Sequence, residues 1–101
     1  MPPGVFLITR SHGPRWDESQ GLEGQAEWRA HADFMNALAR EGFVALGGPV
    51  AGTSDVVLVI RASDEDEIRR RLADDPWTRN GLLQVTQVRA WTLRLGSLGE
   101  R

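Results

Sequence analysis

The chain has no cysteine, no lysine and no tyrosine among its 101 residues. Without cysteine there are no disulfides, thiolate nucleophiles, iron–sulfur clusters or cysteine-ligated zinc sites. Without lysine there is no Schiff-base amine, which excludes pyridoxal phosphate chemistry. Without tyrosine there is no phenolic acid or base. The groups left to move a proton near neutral pH are His12, His31 and the carboxylates. No apolar run approaches the ~18 residues of a membrane span. The start, Met1-Pro2-Pro3-Gly4, has no basic leader, and Val5 to Ile8 is too short for a signal core. The expected location is therefore cytoplasmic, with no membrane partner. Strong positive charge is also missing: the net charge is −2, which gives no general attraction to phosphate backbones. Nucleic acid is not an expected partner.

What is present is an ordinary globular composition, 41% hydrophobic and 26% charged, in a length that suits one core but not two. One domain spanning 1–101 is expected, with its core over about 4–96 and a flexible tail at 97–101. Val5 to Arg10 is apolar and rich in β-branched residues, and Gly13-Pro14 follows, so it reads as a central strand. Residues 11–24 form a long loop, and long loops in small domains are often functional. From Gln25 to Arg40 the spacing of Trp28, Ala32, Met35, Leu38 and Ala39 predicts an amphipathic helix, with Gly42 placed to end it. Phe43 to Leu46 reads as a second strand interrupted by Gly47-Gly48-Pro49, and Val56 to Ile60 as a third. Ser63 is placed to cap a second helix with acids in its first turn and Arg69-Arg70-Arg71 in its later turns. That helix should stop near Asp74 or Asp75, before Pro76. Leu83 to Leu95 reads as a final extended segment. The order βαββαβ with right-handed crossovers predicts an α+β, ferredoxin-like, four-stranded antiparallel sheet with both helices on one face. The uncovered face calls for a second copy of the chain, a homodimer.

His31 lies beside the apolar stripe of the first helix, three residues after Trp28 and four before Met35. A histidine there must use or satisfy its ring nitrogens, either as an acid or base or by bonding a backbone carbonyl. Asp75, fixed by the following proline, is a candidate partner that would orient the imidazole or act on substrate, or else simply ends a helix. Trp77 reads as a pocket wall or, by burial statistics, a core residue. His12, Arg15 and Trp16 sit on the long loop, placed to close over a cleft. No HxH or HExxH spacing supports a metal, and GxGxxG and GxxxxGK are both absent, so no cofactor is expected.

His31, Glu41-Gly42, Gly47-Gly48-Pro49, Asp74-Asp75-Pro76-Trp77 and the closing Val88-Arg89-Ala90-Trp91, in this order, resemble the YciI-like (YCII-related) family of dimeric α+β-barrel proteins. The likeness runs from about residue 4 to 96. It implies a ferredoxin-like subunit that dimerises through its sheet, and a site built from a histidine and an aspartate, matched here by His31 and Asp75. The Gly13-Pro14-Arg15-Trp16-Asp17 stretch is similar to a loop found in some members only. The few related enzymes imply elimination or isomerisation of small oxygenated ring compounds. The expected function is thus cofactor-free acid/base catalysis, of lyase or isomerase type, on a small organic metabolite. His31 and Asp75 are the expected catalytic pair; His12, Arg15, Trp16, Trp28, Phe34 and Trp77 are expected around the substrate. A non-catalytic dimeric binding or accessory domain is the main alternative. Cofactor-free oxygenation or haem handling ranks below both.

Overall fold

A computed structural model of the chain describes residues 4–98. The start at residues 1–3 and the end of the expected tail, residues 99–101, lie outside the described residues. The elements follow the expected order: β1 (Gly4–His12), α1 (Trp28–Arg40), β2 (Val44–Pro49), β3 (Asp55–Ala62), α2 (Glu65–Leu72), the single turn α3 (Pro76–Arg79) and β4 (Leu83–Ala90). The strands form one antiparallel sheet in the order β2-β3-β1-β4, the ferredoxin-like arrangement.

Strand register decides which residues face the helices. Ile8 pairs with Leu58 and Val88, and Phe6 with Ile60, so these side chains share one face. Leu38 of α1 and Ile68 and Leu72 of α2 pack onto that face with Val44, Leu58, Ile60 and Ala62, so both helices cover the same side. The opposite face carries Val5, Leu7, Val57, Val59 and Leu46, with no helix over it. Leu46 on that face is 61% exposed.

Two bulges set the phase of the ladder. Val44 pairs with Ile60 but Leu46 with Val59, which leaves Ala45 as the extra residue in β2. Thr9 pairs with Gln87 but Arg10 with Val85, so Thr86 is extra in β4. This second bulge lets Leu83 and Val85 face the helices together with Val88, although they differ in parity.

The ends of the elements follow local chemistry. Gly42 ends α1 at φ 84°, with the Phe43 N–H on the Leu38 carbonyl and the Gly42 N–H on the Ala39 carbonyl, a complete Schellman turn. The expected start of α1 at Gln25 is corrected to Trp28, because Gln25 spends its side chain inside the preceding loop. Its Oε1 accepts from the Asp17 N–H at 3.0 Å and its Nε2 donates to the Asp17 carbonyl at 2.8 Å. Glu27 then turns through a left-handed φ of 58° into the helix. The expected cap at Ser63 moves one residue on: Asp64 accepts the Glu67 N–H, and the Ser63 N–H donates to the Glu67 carboxylate. The final strand stops at Ala90 rather than Leu95, its last ladder pair being Phe6 with Ala90. The Trp91 N–H donates to the Val5 carbonyl, and beyond it the chain leaves the ladder with Leu95 exposed.

Candidate active site

Asp75 follows from the break after α2. Leu72 ends that helix, Pro76 starts α3 as its first residue, and Asp75 is left as the extended N-cap, accepting the Trp77 N–H at 3.0 Å. This cap turns the carboxylate into the protein, where it is fully buried. Its position after α2 sets it across from α1, and His31 Nδ1 lies 2.9 and 3.0 Å from its two oxygens. On the other side, Arg10 Nη2 is 2.9 Å from Asp75 Oδ2 and donates to Thr78 Oγ1 at 2.7 Å. The carboxylate thus holds an imidazole on one side and a guanidinium on the other.

Arg10 was not singled out by its sequence, although its position carried a signal. Phe6, Ile8 and Arg10 alternate along a central strand, so the arginine takes the place of a core residue. It is 1% exposed, and a buried guanidinium needs a buried anion. Burial pushes the Arg10 pKa down while the Asp75 charge and hydrogen bond pull it back up, leaving it below its ordinary value. The group is still a cation at neutral pH. For Asp75, burial acts upward, but the His31 hydrogen bond, the charges of Arg10 and His31 and the Trp77 N–H together outweigh it. Its pKa is held below the usual carboxylate value, so the group is ionised at neutral pH. An ionised carboxylate only accepts, so the proton between Asp75 and His31 sits on Nδ1. That leaves the Nε2 lone pair of a neutral His31 free to act as a base.

Aromatic rings fix the imidazole from the side. His31 stacks on Trp77 with ring centres 3.8 Å apart and planes 6° from parallel. Trp77 is fully buried and anchored by its Nε1–H on the Ala26 carbonyl at 2.7 Å. Trp28 leans against both rings, with centres 6.1 Å from His31 and 5.8 Å from Trp77. His31, Trp28 and Trp77 border a cleft of about 530 Å³ between α1 and β2, with Met35 and the Gly47-Gly48-Pro49 edge on its other walls. Within β2 a Cβ on Gly47 would come 2.5 Å from Leu58 Cδ2, which accounts for glycine at this wall.

The other expected pocket residues lie elsewhere. His12 stacks on Trp16 at 3.7 Å, and Trp16 meets the Trp77 ring edge-on at 5.5 Å, so this pair braces the back of Trp77. Arg15 is exposed, its N–H bonded to the Gly81 carbonyl. Phe34 packs against the main core. None of these four lines the cleft; from the long loop, Leu22 and Glu23 reach its rim instead. Trp16 and Trp77 separate the two histidines, and among the described residues no three His, Asp or Glu side chains converge as metal ligands. No described helix is long and apolar enough to cross a membrane.

Comparison with curated proteins returns no match. A family model described as the YCII-related domain matches residues 11–92, a span that contains His31, Asp75 and Trp77. The chain belongs to the YCII-related domain family.

Proposed function

We propose that the chain is an acid/base enzyme of lyase or isomerase type, working without a cofactor on a small organic metabolite. The observation that carries this reading is the hold of Asp75 on His31 Nδ1, which presents Nε2 as a fixed base beside the cleft. The roles divide as a general base and its orienting carboxylate. Asp75 is fully buried and its oxygens already accept from His31, Arg10 and Trp77, so it acts through His31 rather than on substrate. The mostly apolar walls suit a compact ring carrying an acidic C–H.

A panel of small cyclic ketones and lactones in D₂O, followed by proton NMR, tests this. The wild-type chain is expected to speed loss of the signal next to a carbonyl in at least one of them. His31→Ala should abolish that exchange, and Asp75→Asn should slow it by about a hundredfold, the range of a general-base contribution. Exchange that survives His31→Ala removes the base from the proposal. If a ligand binds but no exchange occurs, the chain is a binding domain.

We also propose a homodimer formed through the uncovered sheet face. Support comes from Val5, Leu7, Val57, Val59 and Leu46 gathered there without helical cover. Light scattering at micromolar concentration is expected to return twice the 11.2 kDa chain mass, and Leu7→Glu to return 11.2 kDa. A wild-type mass of one chain would refute the dimer.

A further inference from the structure

We propose that Arg10 makes the cleft selective for organic anions, taking the negatively charged oxygen of a carboxylate on a small ring. The inference rests on reading the cleft as the substrate site, and it adds the class of molecule that enters. Among the described residues, Nη2 is the one guanidinium donor that meets oxygen, bonding Asp75 and Thr78. Nη1 has only the Met35 sulfur at 4.0 Å, a weak acceptor, and Nε has no partner among the described residues. Unmet donors on a cation that is 1% exposed are costly, and natural cores rarely keep them without a use. Arg10 is part of the cleft lining, as are His31 and Met35, the residue that its Nη1 meets.

The surrounding charges sharpen the choice. Asp75 is fully occupied by His31, Arg10 and Trp77, so it offers nothing to a cationic ligand. Glu27 is bonded to Asn80, and Arg29 and Glu23 stand at the rim with opposite charges, Arg29 lying 3.9 Å from Asp33. The strongest unspent recognition group is therefore a donor with a positive charge. Trp28 and Met35 supply apolar and aromatic surface for the ring that carries the anion. A charge-assisted bond to a buried guanidinium is among the stronger polar contacts a site can offer.

Benzoate and its neutral analogue benzamide are the probes, titrated against the wild-type chain by calorimetry and by emission of the tryptophans that border the cleft. Benzoate is expected to bind at least about tenfold tighter than benzamide, a difference of about 1.4 kcal/mol. Because Arg10→Met alone would leave Asp75 buried without its cation and so destabilise the fold, the decisive variant is Arg10→Met with Asp75→Asn. It should bring benzoate affinity down to that of benzamide measured on the same variant. Arg10→Lys should keep part of the preference, and Arg29→Ala all of it. Equal affinities in the wild type, binding of neither probe, or a benzoate preference that survives the double variant each overturn the proposal. Deuterium exchange of neutral ring ketones is scored separately: if it depends on His31 while benzoate shows no preference, only the anion inference fails. If benzoate selectivity holds without His31-dependent exchange, only the acid/base reading fails.

Discussion

Replacing Asp75 with alanine is expected to destabilise the fold by about 3–5 kcal/mol, the usual cost of breaking a buried ion pair from one side. The loss is large because three groups are orphaned together. Arg10 stays buried without its anion, His31 Nδ1 loses both acceptors, and the Trp77 N–H loses its cap. Urea unfolding monitored by circular dichroism gives the value. Asp75→Asn keeps an acceptor for the Trp77 N–H and should cost less, and adding Arg10→Met should recover part of that loss by removing the stranded charge. A loss below about 1 kcal/mol, the worth of an exposed pair, would mean that Arg10 and Asp75 are not a desolvated unit. The same group sets an acid limb. Its pKa is lower in the fold than in the unfolded chain, so its ionised form favours the fold above the unfolded value of about 3.9. That contribution is lost as pH falls from there through the lower folded value. The difference in melting temperature between wild type and Asp75→Asn should therefore be full at pH 6 and shrink toward pH 3.

Trp77→Ala is the second large effect, about 3–5 kcal/mol for emptying a fully buried indole position. Trp77 forms a second small core with Leu82 and Leu83, with Trp16 and Trp28 against it, so the cavity opens directly beneath His31. The imidazole loses the ring that fixes its plane, and proton exchange should fall even in the fraction that stays folded. Trp77→Phe separates stacking from anchoring. It keeps a ring under His31 but removes the bond to the Ala26 carbonyl, for about 1 kcal/mol in addition to the change in packing volume. Thermal unfolding and the D₂O assay on the same two variants read both consequences. If Trp77→Ala exchanges protons as fast as wild type, the stack is a matter of packing and not of orientation.

The layered order of elements was legible because each carries its own local signal. Val56 to Ile60 can scarcely be anything but a strand, Gly42 stops α1 as its spacing predicts, and Pro76 forces a boundary. Asp75 stood as a candidate partner for His31 by its place before Pro76, but with 44 residues between them the family resemblance was needed to favour the pair over a helix-ending turn. Arg10 escaped because its side chain falls in phase with Phe6 and Ile8 while its identity looks like that of a surface residue. Only the Asp75 carboxylate, brought by another part of the chain, gives it a reason to be inside. His12, Arg15 and Trp16 were drawn toward the cleft by their chemical type and their place on a long loop. What the sequence does not display is that Gln25 ties this loop down locally and sends Trp16 behind Trp77.

The bulge at Thr86 has a bearing on how this chain can change length. Leu83 and Val85 on one side of it, and Val88 on the other, point inward only because one residue is skipped between them. Deleting Thr86 would make the pairing regular and keep Leu83, Val85 and Val88 all inward, because the three would then share one parity. Deleting Gln84 instead would put Leu83 out of phase with Val85 and turn it away from Trp77. The hairpin at residues 51–54 is exposed and carries no such phase, but the Ser54 carbonyl accepts the His12 N–H and Thr53 bonds Val50 and Asp55, so a change of length there costs these bonds. Loss of a residue is thus tolerated at the bulge itself and closed along the paired runs on either side of it, although all of these positions lie on one strand.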